Sequence, residues 1–403
     1  MKLFKQANVY SPLPLGIKDV LIGGGKILAI EDVITGIEDH LVEVIDCEGQ
    51  YLVPGFVDTL VHITGGGGEG GYATRTPEMD IKEAFVGGVT TVIGALGTDA
   101  ESRSLENLLA KAHGLEEQGL SVFCHTGSYH FPMVSVLASV KRDIMFIDKF
   151  IGVGEVAIAD HRSSQMTSAE MARVASKARV AGMLSGKSGI VSIHVGDEPD
   201  QLTILHKVIE EFDIPISQFY PTHINRSELT LSAGFEFAKQ GGRIDFTTST
   251  TPQIITQGEI PAAQALAMAI EEGIDIEQLT MSSDGNASLP IFDEKGILVD
   301  LQVGLVKSLH QSMVDSVKQY DVDFQLALSS ITSSPADILK LTGKGRIQVG
   351  NDADLNLLNE KTLAINSVFA KGKQIIKEGQ FFIPINIYPK NVQKGKGNLF
   401  QLV

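Results

Sequence analysis

The chain has 403 residues, of which 43% are hydrophobic and 20% are charged, so it is long enough for a full core without disulfides. Its 49 acidic residues outnumber its 33 basic residues, and the net charge of -16 argues against a nucleic-acid or anionic-membrane partner. Two cysteines indicate a reducing, cytoplasmic compartment, and without a long apolar segment or an apolar leader we expect neither a membrane span nor a signal peptide.

Both ends of the chain have the pattern of short strands. Near the start, apolar or alternating segments separated by Pro and Gly occupy residues 7–10, 19–22, 26–30 and 42–46. Near the end, similar segments occupy residues 353–358, 365–370, 374–378 and 381–384. We expect one small β-sandwich domain that is built from both termini, residues 1–54 and 345–403.

The middle of the chain alternates between buried strands and amphipathic helices. The strand-like runs are 55–63, 90–96, 121–127, 150–158, 190–195, 218–223, 243–248 and 279–284. The helical segments are 77–86, 105–117, 133–141, 168–181, 201–212, 228–239, 261–272, 301–319 and 323–339. Apolar strands alternating with helices indicate an α/β fold with a parallel sheet. Eight units predict a (β/α)8 TIM-like barrel over residues 55–344, and a doubly wound open sheet is the alternative.

Polar residues stand where most of these strands end. In a barrel the carboxyl ends of the strands carry the chemistry. Three imidazoles and two carboxylates on one rim suit a divalent ion, with zinc as the first choice. The residues at or just beyond the strand ends are His62, Tyr129, Glu155, His194, His223 and Asp284.

The glycine run at residues 65–68 has two interpretations. With Gly70 it matches the G-x-G-x-x-G pattern of dinucleotide-binding folds, which requires a helix to begin there. The following segment is irregular instead, and this favours a flexible loop that lets the backbone and Glu69 approach a ligand. Cys124 lies inside a predicted strand and is expected to be a buried, inert thiol.

Eight segments together carry a family resemblance. The chain resembles the amidohydrolase superfamily, and within it the isoaspartyl (β-aspartyl) dipeptidases, over nearly its whole length. The matching segments are GFVDTLVHITGGGGEGG (55–71), GVTTVIGALGTD (88–99), TGSYHFP (126–132), AIADHRS (157–163), HVGD (194–197), PTHINR (221–226), SSDGNAS (282–288) and TGKGRIQVGNDADL (342–355). The resemblance implies a (β/α)8 barrel with a small β domain from both ends, which agrees with the pattern of elements.

The resemblance also implies a role for each matching position. His194 and His223 correspond to metal ligands, and Asp284 corresponds to the aspartate that is general base and then general acid for a metal-activated water. Tyr129 corresponds to the tyrosine that polarises the scissile carbonyl. The resemblance implies that Glu69 holds the substrate ammonium. The other substrate-binding residues that it implies are Thr98, Arg162, Arg226 and Ser288.

Two departures from the family pattern affect the metal site. The family begins with a His-x-His pair, and here Leu60 replaces the first histidine. Glu155 stands where the family has a lysine that bridges two metals. Because the interval from Tyr129 is one residue longer than expected, Gly154 is the other candidate for that position. We expect Glu155, His194 and His223 to form one firm Zn²⁺ site. The second site retains His62, Asp284 and a share of Glu155, and we expect it to be weak or vacant.

The charges of a β-aspartyl dipeptide offer an independent argument for the substrate. The dipeptide has one free ammonium and two carboxylates, and the rim supplies one glutamate and two arginines. A structural salt bridge between Arg162 and Asp160 is the alternative for one of those arginines.

Two rival functions stay open. One is a drifted amidohydrolase, such as an N-acyl-amino-acid deacylase or lactam hydrolase, and the other is a barrel that only binds an acidic ligand. The resemblance further implies a homo-oligomer.

Overall fold

The computed structural model describes residues 1–292 and 298–382. The first strands of the chain are β1 (Lys2–Tyr10), β2 (Pro14–Gly23), β3 (Lys26–Glu31), β4 (Glu43–Asp46) and β5 (Gln50–Pro54). Eight strands follow, β6 (Phe56–Val61), β7 (Val89–Gly94), β8 (Ser121–Thr126), β9 (Phe150–Ile158), β10 (Ile190–Val195), β11 (Phe219–Thr222), β12 (Ile244–Thr247) and β13 (Leu279–Ser282). The remaining strands are β14 (Ser288–Phe292), β15 (Leu298–Val303), β16 (Leu355–Asn359), β17 (Ile365–Ala370), β18 (Lys373–Lys377) and β19 (Gln380–Phe381).

The helices lie between and after the central strands. They are α1 (Ile81–Val86), α2 (Leu105–Glu117), α3 (Val140–Phe146), α4 (Ser168–Ser185), α5 (Thr203–Glu211), α6 (Glu228–Lys239), α7 (Pro252–Thr256), α8 (Ala262–Glu271), α9 (Ser308–Gln319), α10 (Phe324–Ser329) and α11 (Ser333–Ile338). Helices α2 and α6 have the predicted bounds, and Ser104 and Ser227 cap their first turns as serine N-caps do. Among the described helices, none combines the length and the apolar character that a membrane crossing needs.

The two ends of the chain meet in one sheet, as predicted. Within the described residues nine strands join in the order β19-β18-β17-β16-β5-β1-β2-β3, with β4 paired to β1. The C-terminal strand β16 pairs antiparallel with the N-terminal strand β5. These strands share one core that includes Phe4, Leu52 and Phe369. Strand β19 covers the start of the predicted strand 381–384, and the rest of that prediction lies outside the described residues.

The eight central strands form the predicted parallel barrel. Strands β6 to β11 are hydrogen-bonded in sequence order, and β12 pairs with β13. Within the described residues the backbone ladder is interrupted between β11 and β12, and only a bridge of Val61 with Gly285 links β13 back to β6. Side chains span these interruptions: buried Asp245 accepts hydrogen bonds from hydroxyl groups on β6, β11 and β13. The polar network therefore closes the barrel where the backbone does not.

Three predicted helices differ from the structure. Residues 133–139 form a loop before α3 because the carboxylate of Asp143 accepts the backbone N–H groups of Val136 and Leu137 at 2.9 and 2.7 Å. The segment 301–319 begins with the end of β15, which pairs antiparallel with β14, so the helix starts only at Ser308. The segment 323–339 is divided into α10 and α11 by a non-helical Thr332.

Candidate active site

The carboxyl ends of the barrel strands surround a cavity of about 410 Å³. Its floor is made of imidazole and carboxylate side chains, and its rim contains Arg and Glu side chains. The structure brings together in its lining every residue that the sequence analysis selected: His62, Glu69, Thr98, Tyr129, Glu155, Arg162, His194, His223, Arg226, Asp284 and Ser288.

Glu155 lies at the centre of the candidate metal site. Its Oε1 atom is 2.9 Å from Nδ1 of His194 and 2.9 Å from Nε2 of His223. Its Oε2 atom faces Nε2 of His62 at 3.8 Å. One ligand atom from each of Glu155, His194 and His223 lies within 4.8 Å of the others, and all three residues are buried. The carboxylate therefore faces the three imidazoles of the site at once.

A β-bulge explains the extra residue in β9. Val153 is opposite Val191 and Val156 is opposite Ile193, so Gly154 and Glu155 together oppose Ser192. A Cβ atom on Gly154 would lie 2.7 Å from the Cβ of Ser192, so this position requires glycine. The bulge turns the Glu155 side chain towards the two histidines, so Glu155 rather than Gly154 supplies a carboxylate to the candidate metal site.

In each of the two candidate ligand histidines, His194 and His223, the nitrogen on the outer side of the ring has a partner of its own. Nε2 of His194 lies 3.2 Å from Oδ2 of Asp160, and Nδ1 of His223 lies 2.5 Å from Oγ1 of Thr247. If each outer nitrogen carries the proton, Nδ1 of His194 and Nε2 of His223 are left as lone-pair donors on the side of Glu155. Sequence reasoning missed both partners, although Asp160 lies in the segment AIADHRS that carried the resemblance.

The protonation states suit a cation at this point. Burial opposes the charged form of Glu155, but His194 and His223 outweigh it and hold the pKa of this carboxyl well below its ordinary value. Burial lowers the pKa of His223 to about 4, with Arg226 and His194 adding to the effect, so its imidazole is neutral at pH 7. An ionised carboxylate beside a neutral imidazole is the donor form that zinc binds.

His62 and Asp284 form a second pair across the site. Nε2 of His62 lies 3.1 Å from Oδ1 of Asp284. Burial opposes protonation of His62, but Asp284 and Glu155 outweigh it and raise the pKa of His62 to about 9. Asp284 and His223 both have left-handed backbone conformations, with φ of 50° and 63°, which are uncommon for residues other than glycine. Leu60 is buried at 2% exposure and contributes no donor atom.

Tyr129 directs its hydroxyl at the metal-site histidines. The phenol oxygen lies 2.6 Å from Nδ1 of His194. Burial and the charge of Glu155 raise the pKa of Tyr129 well above its ordinary value, although Arg162 and Arg226 oppose the rise. The phenol is therefore protonated at pH 7 and can donate a hydrogen bond to an oxygen in the cavity.

Glu69 is the centre of a polar cluster on the rim. Its Oε1 atom accepts a hydrogen bond from Thr98 at 3.0 Å and lies 3.3 Å from Arg162, and its Oε2 atom accepts from Ser288 at 3.3 Å. Arg162 also makes the salt bridge that was the alternative interpretation, with 2.6 Å from its Nη2 to Oδ2 of Asp160. Arg162 thus links the rim to the metal-site residue His194 through Asp160.

The glycine run forms a loop and not a nucleotide-binding turn. Gly65 and Gly67 have φ of 78° and 70°, and a Cβ on Gly67 would approach the carbonyl oxygen of Thr74 at 2.6 Å. The next α-helix begins only at Ile81. The loop is tied down by Thr76, whose hydroxyl accepts from Gly66 N at 2.6 Å and donates to Asn286 O at 2.5 Å. This arrangement places Glu69 over the cavity.

Comparisons with known proteins match this geometry. The profile of the amidohydrolase family matches residues 51–377. A solved structure of the β-aspartyl dipeptidase of Fervidobacterium islandicum AW-1, in complex with β-Asp-Leu dipeptide, is 43% identical. It superimposes with a TM-score of 0.88 and covers 95% of this chain and 98% of that one.

More distant relatives support the fold. A dihydropyrimidinase from Brevibacillus agri NCHU1002 has a TM-score of 0.68 at 17% identity, covering 94% of this chain and 96% of that one. In sequence, a dihydroorotase from Elusimicrobium minutum is 25% identical over 390 residues, which is 89% of this chain and 88% of the relative. At 17% identity the structural likeness speaks for the barrel and not for the reaction.

Proposed function

The chain belongs to the amidohydrolase family, within the group of β-aspartyl dipeptidases, and we propose that it hydrolyses the isopeptide bond of β-aspartyl dipeptides. The observation that carries the proposal is the charge pattern of one cavity, in which Glu69, Arg162 and Arg226 surround the candidate metal ligands. One carboxylate and two guanidinium groups complement the one ammonium and two carboxylates of such a dipeptide. The similar dipeptidase from Fervidobacterium islandicum, which was solved with β-Asp-Leu, adds support.

Zinc is the ion that we propose for the site, because its donors are two imidazoles and one carboxylate. Glu155, His194 and His223 would hold it, and the partners Asp160 and Thr247 would fix the two imidazoles. When bound, such an ion supplies Lewis-acid polarisation of the scissile carbonyl and makes the attacking water more acidic. His62 and Asp284 would form a weaker second site, because Leu60 cannot ligate a metal.

The chain's own residues account for the proton transfers. The carboxyl of Asp284 is held ionised, because His62 outweighs the effect of burial and lowers its pKa. Asp284 can therefore accept the proton of the attacking water and return it to the leaving amine. The Tyr129 hydroxyl donates a hydrogen bond to the oxygen of the scissile carbonyl as negative charge develops on it. Glu69 binds the ammonium of the aspartyl residue, and Thr98, Arg162, Arg226 and Ser288 orient the rest of the substrate.

Hydrolysis of β-Asp-Leu and α-Asp-Leu by the zinc-loaded protein tests the proposal, with leucine release as the readout. We expect turnover of the β form alone. Turnover of N-acyl-leucine substrates instead would indicate the drifted amidohydrolase. Binding of β-Asp-Leu without turnover would indicate a barrel that only binds its ligand.

Three further expectations are proposals about the whole protein. We propose a barrel domain over residues 55–344 and a β domain from residues 1–54 and 345–403, of which 383–403 lie outside the described residues. We also propose a cytoplasmic location, from the cysteine usage, and a homo-oligomer, which is what the resemblance implies. Light scattering on the purified protein measures the oligomeric state.

A further inference from the structure

The active-site cavity has two chemically different sides. Glu69 and Thr98 follow β6 and β7, whereas Asp197 and Arg226 follow β10 and β11, which lie across the ring of eight strands. The segment after β12 adds Ile254, Gln257 and Glu259 to the second side. Under the proposed function Glu69 takes the aspartyl ammonium, so the second side receives the leaving amino acid.

Glu259 is a charged group on that second side to which no role has been given. Its backbone is held beside Arg226, because Ile260 N donates to Asn225 O at 2.9 Å and Asn225 Nδ2 donates to Ile260 O at 2.8 Å. Glu259 is partly buried, and its Oε1 atom is buried without a hydrogen-bond partner among the described residues.

A buried carboxylate oxygen without a partner is costly, and this indicates that a ligand completes its environment. Burial raises the pKa of Glu259 to about 7, although Thr250 and Arg226 oppose the rise, while Asp284 and Asp197 add to it. Arg226 and Glu259 line the same cavity without forming a salt bridge. The side that receives the leaving residue thus offers one cation, Arg226, and two acids, Glu259 and Asp197.

We propose that Glu259 is a specificity-determining residue that selects leaving amino acids with a cationic side chain over those with an acidic one. This inference rests on the proposed function. Arg226 binds the carboxylate of the leaving residue, and the ammonium of a lysine side chain can then pair with Glu259. A glutamate side chain would instead meet Glu259 and Asp197, both of the same charge sign. Selection arises from attraction of one class of substrate and repulsion of the other.

The test is the ratio of kcat/KM for β-Asp-Lys to kcat/KM for β-Asp-Glu, measured in the wild-type protein, in Glu259→Gln and in Glu259→Asp. Gln keeps the shape of the side chain and removes its charge, so we expect the ratio to fall about tenfold. Asp keeps the charge and should preserve the preference for β-Asp-Lys. The matched control is Glu210→Gln on the exposed face of α5, which changes the net charge equally and should leave the ratio unchanged.

The outcomes separate this inference from the proposed function. If the wild-type protein hydrolyses β-Asp-Leu and the ratio is the same in Glu259→Gln as in the wild type, the role of Glu259 is overturned and the dipeptidase activity stands. If neither β-Asp-Leu nor the charged dipeptides are hydrolysed, both are overturned. A lowered ratio in Glu259→Gln that is restored in Glu259→Asp supports the assignment, because a variant that only loosened the cavity would not recover with the shorter acid.

Discussion

Nε2 of His194 lies 3.2 Å from the carboxylate of Asp160, while Nδ1 of the same ring lies 2.9 Å from Glu155. A carboxylate on the outer nitrogen fixes the tautomer and orientation of a metal-binding imidazole and strengthens it as a ligand. Asp160 also pairs with Arg162, so it joins the candidate metal site to the polar cluster around Glu69 on the rim.

We therefore predict that Asp160→Asn weakens zinc binding by roughly ten- to hundredfold, since loss of such a partner has effects of that size. The measurement is zinc affinity by competition with a chromogenic chelator. Arg162→Met is the control, because it removes the other partner of Asp160 and keeps the contact with His194. Equal zinc affinities in the wild type and Asp160→Asn would show that the carboxylate does not support the metal site.

The sequence was sufficient to predict the barrel, but not every contact of the candidate active site. Strands that are buried on both faces are continuous apolar runs, and serine caps mark helix starts, so the eight strands and helices such as α2 were predictable. The loop at 133–139 was not, because its backbone is organised by Asp143, a residue of the following helix. The contact of Asp160 with His194 likewise joins residues 34 apart in the sequence, one just after β9 and the other on β10. Local sequence patterns do not indicate such contacts between residues that are far apart in the chain.

Leu60 offers a test of the number of metals. It lies two residues before His62, the spacing at which an extended chain places two side chains on the same side, and its side chain is buried at 2% exposure. We predict one tightly bound zinc per wild-type chain and two per chain in Leu60→His, because the new imidazole completes the site of His62 and Asp284. Metal content after dialysis, measured by mass spectrometry, is the readout.

The control for this variant is Leu60→Met, which conserves volume and is expected to retain one zinc. Two tightly bound zinc ions in the wild-type protein would contradict the assignment of a weak second site. A single zinc in Leu60→His would show that the backbone of β6 does not direct position 60 at the metal site.

His125 provides a test of stability against pH in the metal-free protein. It is buried in β8 with neither ring nitrogen hydrogen-bonded in the described residues, and burial lowers its pKa to about 4 from 6.5, against a small opposing effect of Glu155. The folded state therefore favours the neutral ring. Since the unfolded chain takes up the proton first, this residue costs stability as the pH falls from 6.5 towards 4.

Replacing His125 with Met should remove this dependence. Between pH 7 and pH 5 we predict that the metal-free wild type loses about 2 kcal/mol more unfolding free energy than His125→Met. Urea unfolding at the two pH values is the measurement. His113→Met, at an exposed position on α2, is the control and should behave like the wild type. An unchanged pH dependence in His125→Met would mean that His125 does not titrate in this way.

Glu69 tests how the substrate ammonium is recognised. Its carboxylate is held by Thr98, Arg162 and Ser288, with contacts of 3.0 to 3.3 Å, and it lines the cavity. N-succinyl-leucine is β-Asp-Leu without the amino group, so it cannot form the proposed ion pair. We predict that the wild-type protein prefers β-Asp-Leu by kcat/KM, and that Glu69→Gln reduces this preference by about tenfold or more, because the ion pair with the ammonium becomes a hydrogen bond to an uncharged amide. Glu101→Gln, an exposed acid near the same rim, serves as the matched control. If Glu69→Gln slows hydrolysis of both substrates equally, Glu69 orders the glycine loop rather than binding the ammonium. The charge argument for a β-aspartyl substrate would then lack the residue that pairs with the ammonium.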